Sequence, residues 1–257
     1  MWSASRTSAG SLGANAEEAT RTLSWDACLN ARDLGGLSAT NGRRVRHGAL
    51  VRSDQLCRLS DRGRADLLAH GVRTVIDLRN PAEAEKDPDP AWRERDIDYM
   101  LIPQQDEQFW SSIAAARTRA ERDALVLDHR AEHIVAMARA FAHATPGGVL
   151  IHCLAGKDRT GIAVALLLSL VGVDEAQIAA DYTLSVAALA AELEAALAAA
   201  PDDEARARIE RGYDARADTM LATLAHLRER HGGAEAYLSR AGLSDADTQR
   251  IRERLLD

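Results

Sequence analysis

A ten-residue segment combines a cysteine, an arginine and a threonine at offsets suited to phosphate chemistry. It reads His152-Cys153-Leu154-Ala155-Gly156-Lys157-Asp158-Arg159-Thr160-Gly161. The apolar run Val149-Leu150-Ile151 before it predicts a buried strand, and the apolar stretch after it predicts a helix. When a strand is followed by a loop and then by the first turn of a helix, several unpaired backbone amides point to one position. This arrangement favours the binding of an anion.

The side chains of this loop can divide the hydrolysis of a phosphate ester among them. We expect Cys153 to be the nucleophile, because helix termini and nearby cations can lower a thiol pKa to roughly 3.5–7.5. Thr160 is expected to donate its hydroxyl to the sulfur, and His152 to orient the loop from behind. Arg159 is a planar donor that matches two phosphate oxygens. The predicted phosphate-binding residues are Leu154, Ala155, Gly156, Lys157, Asp158 and Arg159.

Hydrolysis also needs a proton donor for the departing oxygen. Asp158 is the first candidate because it lies inside the loop, next to the expected phosphate position. Asp77, towards the end of the predicted strand Thr74-Val75-Ile76-Asp77-Leu78-Arg79, is the alternative acid. Arg32 and Asp33 form a charged pair in a turn-rich segment, and two interpretations stay open for them. They brace the turn by pairing with each other, or they support the active loop.

The segment 152–161 resembles the signature of the protein tyrosine phosphatase superfamily, His-Cys-x5-Arg-(Ser/Thr)-Gly. Its Gly-Lys-Asp interior narrows the resemblance to the bacterial tyrosine and dual-specificity phosphatases. Three further segments are similar to that family: Asn30-Ala31-Arg32-Asp33-Leu34-Gly35-Gly36, Val75-Ile76-Asp77-Leu78-Arg79 and Asp181-Tyr182-x-x-Ser185. The resemblance covers about residues 23–256.

The resemblance implies a role for each matching residue. Cys153 would be the nucleophile, Arg159 the phosphate ligand, and Asp158 the replacement for the mobile-loop acid of other tyrosine phosphatases. Lys157 is associated by similarity with phosphoinositide substrates in addition to phosphoproteins. A helical pair after the signature, here residues 186–219, would act as a lid.

The elements around the loop predict an α/β fold of the cysteine-phosphatase type. We expect a central, mainly parallel sheet flanked by helices, with a C-terminal helical subdomain that includes the lid. Residues 1–22 are expected to be a disordered leader, and 23–257 a single phosphatase domain. Residues 81–95, rich in charge and proline, are expected to form a surface connection rather than a central strand.

Composition excludes several classes of protein. A formal net charge of −7 disfavours a nucleic-acid surface, and three separated cysteines without a Cys-x-x-Cys pair disfavour a disulfide framework or a zinc knuckle. The longest apolar stretch, 162–173, is too short to span a bilayer. No cofactor is expected, and the residues carry no signal for an oligomeric state. The cytoplasm is the default location. Export without a recognisable signal stays open as the alternative.

The sequence leaves three alternative functions to consider. His129-Arg130-Ala131-Glu132-His133 fits the His-x-x-Glu-His pattern of a zinc peptidase, although no downstream ligand is evident. A rhodanese-like sulfurtransferase would keep the cysteine loop, but Asp158 and Thr160-Gly161 favour a phosphatase. A non-catalytic phospho-ligand binder would have lost its nucleophile or its cation, and this chain retains both.

Overall fold

Five strands form one sheet with the site loop at its centre. The computed structural model describes residues 21–88, 97–113 and 115–257. The strands are β1 (Arg32–Asp33), β2 (Leu50–Ser53), β3 (Val72–Asp77), β4 (Asp98–Leu101) and β5 (Gly148–His152), in the order β1-β2-β5-β3-β4. β1 pairs antiparallel with β2, and the other neighbours are parallel. β5 therefore lies in the middle, and its carboxyl end leads directly into Cys153.

Side chains of the central strands alternate between two apolar layers. Val51, Val75 and Leu150 pack with Trp25 and Leu67 on one face. The larger core covers the other face and contains Leu50, Ile76, Val149 and Ile151. Because successive side chains of a strand point to opposite faces, a strand buried on both faces is apolar at nearly every position. This burial explains the continuous apolar run of β5.

Helices cover both faces, and every helix or strand after the site loop is a helix. Within the described residues, the α-helices are α1 (Asp61–Ala69), α2 (Pro81–Lys86), α3 (Glu107–Ser112), α4 (Arg119–His129), α5 (Ala131–His143), α6 (Asp158–Leu170), α7 (Glu175–Ala188), α8 (Ala190–Ala198), α9 (Asp203–Tyr213), α10 (Ala217–His231), α11 (Ala234–Arg240) and α12 (Asp245–Leu255). The predicted fold class, a mainly parallel sheet with flanking helices and a helical C-terminal part, is confirmed.

One predicted boundary needs correction, and one predicted surface connection contains a short helix. Residues 1–20 of the predicted leader lie outside the described residues, but Arg21 is buried and pairs with Asp181, so the ordered fold begins before residue 23. The expected surface connection 81–95 starts with a helix, α2. Asn80 and Glu83 cap the N-terminus of this helix with a capping box. Residues 89–95 of that connection lie outside the described part of the chain.

Candidate active site

The loop between β5 and α6 curls tightly, and Gly156 makes the curl possible. Gly156 has a φ of 64°, and a Cβ built there would lie 2.1 Å from the carbonyl oxygen of Ser53. Only glycine satisfies both conditions without displacing β2. Helix α6 begins at Asp158, so its first amides have no partner within the helix. The loop Cys153–Arg159 thus lies at a helix N-terminus, as the residue pattern predicts.

Cys153 is buried at the start of this loop, and its surroundings favour the thiolate. Burial by itself raises the pKa of the Cys153 thiol, but the Arg159 charge and the hydroxyl and amide of Thr160 bring that pKa below its ordinary value. The Thr160 hydroxyl is buried, makes no other hydrogen bond among the described residues, and favours the ionised form of Cys153. A lowered pKa makes the thiol easier to ionise, and the thiolate is the nucleophilic form.

Arg159 is held by a residue that the sequence does not single out. Its guanidinium makes a two-point ion pair with Glu83 of α2, with N···O distances of 2.5 and 2.9 Å. Burial opposes the charge on Arg159, yet Cys153 and Glu83 hold its pKa above the ordinary arginine value. A bidentate pair fixes the plane of a guanidinium. Glu83 therefore sets the plane in which Arg159 meets a phosphate.

Asp158 lies among three donors at the surface of the loop. Its side chain is 24% exposed. One carboxylate oxygen lies 2.9 Å from Lys157 Nζ and accepts a 3.1 Å hydrogen bond from the Tyr182 hydroxyl, and the other lies 3.3 Å from Arg119. Partial burial raises the pKa of Asp158, but Lys157, Arg119 and Tyr182 bring it below its usual range. The free site therefore holds this carboxyl ionised near neutral pH.

Lys157 neither reaches outward into the phosphate cradle nor points to solvent. The residue is 1% exposed, and its ammonium donates a 2.7 Å hydrogen bond to the backbone carbonyl of Asp214, just after α9. It also pairs with Asp158. The Lys157 side chain thus links the site loop to the segment that joins α9 to α10.

Asp77 and His152 lie behind the loop, fully buried. Asp77 pairs with Arg79 at 2.8 Å and accepts a 2.7 Å hydrogen bond from Tyr99. Burial raises the pKa of Asp77, but His152 and Arg79 lower it below its usual range. The His152 ring lies 3.1 Å from the Cys153 carbonyl and 3.9 Å from Asp77. Both residues support the backbone of the loop from below.

Arg32 and Asp33 do not pair with each other. Arg32 binds Asp181 of α7 at 2.9 Å and the Asn30 side chain. Asp33 accepts hydrogen bonds from the amides of Gly35 and Gly48. Arg32 reaches the site through Asn30, whose amide nitrogen donates to the carbonyl of Ala155 at 2.9 Å. The loop-supporting interpretation therefore describes Arg32, whereas Asp33 braces the turn by itself.

A buried cationic cluster lies beneath the loop, centred on Asp181. Arg21, Arg32 and Arg52 all contact its carboxylate. Burial raises the pKa of Asp181, but the arginines lower it to about 2. Arg52 also donates to the carbonyl of Gly156 at 2.7 Å. Three positive charges around one negative charge leave a net positive field behind the phosphate cradle, which suits a dianionic ligand.

Sequence reasoning did not assign Glu83, Arg119, Arg52 or Asp181 to the site. Asp181 had the clearest signal, because it belongs to the segment Asp181-Tyr182-x-x-Ser185 on which the resemblance rests. Glu83 had a partial one, because it completes the capping box of α2. Arg119 and Arg52 reach the site through the tertiary fold alone, from the start of α4 and from β2.

The zinc-peptidase arrangement is not present in the part of the chain that the structure covers. His129 ends α4 and His133 lies in α5, with Arg130 between them at a φ of −123° and a ψ of 26°. The two histidines therefore do not share one continuous helix. Together with Glu132 they form no group of metal-ligating atoms among the described residues.

A buried cysteine at the carboxyl end of a central strand, with an arginine and a helix N-terminus after it, is the arrangement expected of a cysteine-dependent phosphatase. The sequence model described as the tyrosine phosphatase family matches residues 23–257. The chain therefore belongs to the tyrosine phosphatase family. Membership in this family agrees with the phosphatase interpretation of the cysteine loop.

Three bacterial relatives carry corresponding names. A protein named as a tyrosine-protein phosphatase in Cupriavidus necator is 37% identical over 169 residues, which are 62% of this chain and 61% of that protein. A tyrosine-protein phosphatase of Nostoc commune is 35% identical over 80% of this chain and 74% of its own length. The triple specificity protein phosphatase PtpB of Mycobacterium tuberculosis is 31% identical over 88% of this chain and 96% of its own length. The chain thus spans about three-fifths of the first of these proteins.

No helix in the described residues has both the length and the apolar character needed to cross a membrane.

Proposed function

We propose that the chain hydrolyses phosphomonoesters through a phosphocysteine intermediate. The Cys153 thiolate attacks phosphorus in line with the ester oxygen, the P–O bond to the leaving group breaks, and a phosphocysteine forms. Arg159 and the loop amides hold the equatorial oxygens. Water then cleaves the S–P bond, and Thr160 stabilises the thiolate that leaves. The carrying observation is the position of the buried Cys153, directly after the central strand β5 and in a loop that leads to Arg159 and the N-terminus of α6.

Asp158 is the proposed acid in the first step and the base in the second. In the free site its carboxyl is ionised, since Lys157 and Arg119 lie close to it. The phosphate dianion brings negative charge to the loop, and a nearby like charge raises a carboxyl pKa. The substrate therefore promotes the protonation that its own leaving group requires. Asp77 is a poor acid because Arg79 holds its carboxylate in a fully buried pair.

Two variants test the mechanism. Cys153→Ser should abolish turnover while the protein still binds vanadate, and wild-type activity in that variant would overturn the proposal. Asp158→Asn should slow alkyl phosphates by roughly 10²–10⁴-fold, with a smaller loss on activated aryl phosphates that need no acid. Equal losses on the two ester classes would assign Asp158 a positioning role, and Asp77 would return as the acid.

We propose two classes of substrate. Phosphotyrosine, phosphoserine and phosphothreonine in proteins are proposed, in line with the name of the mycobacterial relative. A hollow next to Arg119 favours phosphoinositides as a second class. Five arginines line it without any acidic residue among its lining: Arg117, Arg119, Arg122, Arg208 and Arg211. Such a hollow can hold the additional phosphates of an inositol headgroup.

The lipid proposal is testable by a ratio of activities. Arg208→Ala together with Arg211→Ala should lower kcat/KM for a short-chain phosphatidylinositol bisphosphate about tenfold or more, and leave a phosphotyrosine peptide almost unaffected. Arg62→Ala, an exposed arginine of α1, is the matched control. Equal losses on lipid and peptide would remove the hollow from substrate recognition.

We propose that residues 23–257 act as one domain with 186–219 as its lid. The lid range contains α8, which has no buried residue, and α9, whose following residue Asp214 accepts the hydrogen bond from Lys157. Few buried contacts permit a segment to open at little cost. The cytoplasm is the proposed location.

A further inference from the structure

A second cluster of chemistry-bearing side chains lies at the far ends of α4 and α10. Nε2 of His226 lies 3.0 Å from Oδ1 of Asp128, and Nε2 of His231 lies 2.7 Å from the same oxygen. The three atoms all lie within 4.8 Å of one another. We propose that these residues bind a divalent transition-metal ion, zinc above all, at a site separate from the phosphatase centre.

The donor set matches that chemistry. Two imidazole nitrogens and one carboxylate oxygen are ligands that zinc and its neighbours accept, with a fourth position left for water. Tetrahedral ligands at roughly 2.1 Å from zinc lie about 3.4 Å from one another. The observed separations of 3.0 and 2.7 Å between the oxygen and the nitrogens differ little from that spacing. Small side-chain rotations therefore suffice to admit an ion.

The position of the cluster also favours a cation. Asp128 lies in the last turn of α4, and His231 is the final residue of α10 before the left-handed Gly232. The carbonyl ends of helices carry negative partial charge, which stabilises cations near the last turn. The three side chains are 16–25% exposed, so the site is partly buried yet open to solvent.

The surroundings hold the ligands in place. The ring of Tyr237 packs edge-on against His231 with centroids 5.1 Å apart, and its hydroxyl donates to the carbonyl of Leu127. Among the residues that the structure describes, Arg230 competes for Asp128, since its Nε lies 3.2 Å from the shared oxygen. Its side chain is 66% exposed and can turn into solvent, and exposed ion pairs contribute little.

The test measures metal binding directly and does not depend on activity. Full-length Cys153→Ser protein, which lacks the reactive thiolate, is titrated with Co²⁺ and examined for tetrahedral visible absorption, and Zn²⁺ is measured by equilibrium dialysis. We expect one equivalent of either ion. His226→Gln, His231→Gln and Asp128→Asn should each weaken binding at least tenfold. His129→Gln, at the exposed end of α4, is the matched control and should bind as the parent does.

Thermal unfolding keeps the proposal testable if a variant is less stable. A ligand that binds only the folded chain raises Tm by mass action. Zn²⁺ should therefore raise the Tm of the parent and of the His129→Gln control. It should leave the Tm of the three cluster variants unchanged. Overturning results are an absence of Co²⁺ or Zn²⁺ binding in the parent, or equal losses in the control. Variants that merely lower Tm by the same amount with and without Zn²⁺ would show a hydrogen-bonded brace instead.

Discussion

At the scale of the residue, the reactivity of Cys153 depends on opposed effects. Burial disfavours the thiolate, while the positive charge of Arg159 and the hydrogen bonds of Thr160 favour it. Glu83 partly offsets the Arg159 charge but keeps the guanidinium in one plane. The nucleophile is therefore adjusted by neighbours on two elements, α2 and α6. Replacing one of these neighbouring residues should change the pKa of the Cys153 thiol without disrupting the fold.

Thr160→Val is the cleanest such change. Valine fills the same space but has no hydroxyl, so the pKa of Cys153 should rise. The rate of iodoacetamide alkylation, followed against pH, should show its midpoint at higher pH than in the wild type. Hydrolysis of the phosphocysteine should also slow, since the leaving thiolate is less stabilised.

The control uses a second buried threonine. Thr74 of β3 also has a hydroxyl without a hydrogen-bond partner among the described residues, and it lies in a strand rather than in the site loop. Thr74→Val should leave the alkylation midpoint in place. An unchanged midpoint in Thr160→Val would mean that Arg159 and the loop amides alone stabilise the thiolate.

At the scale of the element, Lys157 joins the site loop to the end of α9. The sequence contains two lysines, Lys157 and the exposed Lys86, so each can be replaced separately. Lys157→Met removes the hydrogen bond to the Asp214 carbonyl. A hydrogen bond to a charged group contributes about 1.5–3 kcal/mol, so amide exchange in 203–216 should accelerate about ten- to hundredfold.

Hydrogen–deuterium exchange with mass spectrometry checks that expectation. Peptides of α12, far from the substitution in sequence, provide the internal reference, and Lys86→Met provides the matched variant. Uniform acceleration across both regions in Lys157→Met would indicate general loss of stability instead. Unchanged exchange in 203–216 would show that Lys157 does not hold the proposed lid.

Much of this arrangement could be predicted from sequence, because the decisive signals were local. Ser60 caps α1, and Asp174 and Asp202 cap α7 and α9 as their residue types predict. The apolar run before Cys153 is β5. Glu83 could not be placed, because it lies 76 residues from Arg159 and only the fold brings them together. The partner of Lys157 is a backbone carbonyl, and a main-chain group leaves no mark in the sequence.

At the scale of the whole molecule, charge is distributed unevenly. The chain carries a formal net charge of −7, yet three arginines surround Asp181 beneath the site loop. That cluster connects β1, β2 and α7 with the segment before β1. Excess positive charge behind the phosphate cradle attracts a dianion, while the acidic remainder of the surface disfavours nucleic acids. A negative protein can therefore contain a positive site.

Asp123 is a buried carboxyl whose ionisation lowers the stability of the folded chain. It lies buried on α4, accepts one 3.3 Å hydrogen bond from Thr223, and faces the negative field of Asp158. Burial first, and then Asp158, raise the pKa of Asp123 to about 7. In the unfolded chain an aspartate titrates near pH ~3.9. Between these two values the folded chain binds more protons than the unfolded chain, so this group's contribution to stability falls as pH rises.

Asp123→Asn removes that titration and keeps the size of the side chain. The variant should be more stable than the wild type at about pH 8, with a Tm higher by roughly 2–10 °C, and this advantage should shrink towards about pH 5 as the wild-type carboxyl takes up its proton. Differential scanning calorimetry at both pH values measures it. Asp203→Asn, an exposed carboxyl of α9, should show no such trend. An advantage of equal size at the two pH values would mean that the folded chain binds no extra proton in this range, so that Asp123 is ionised throughout and its pKa is not raised.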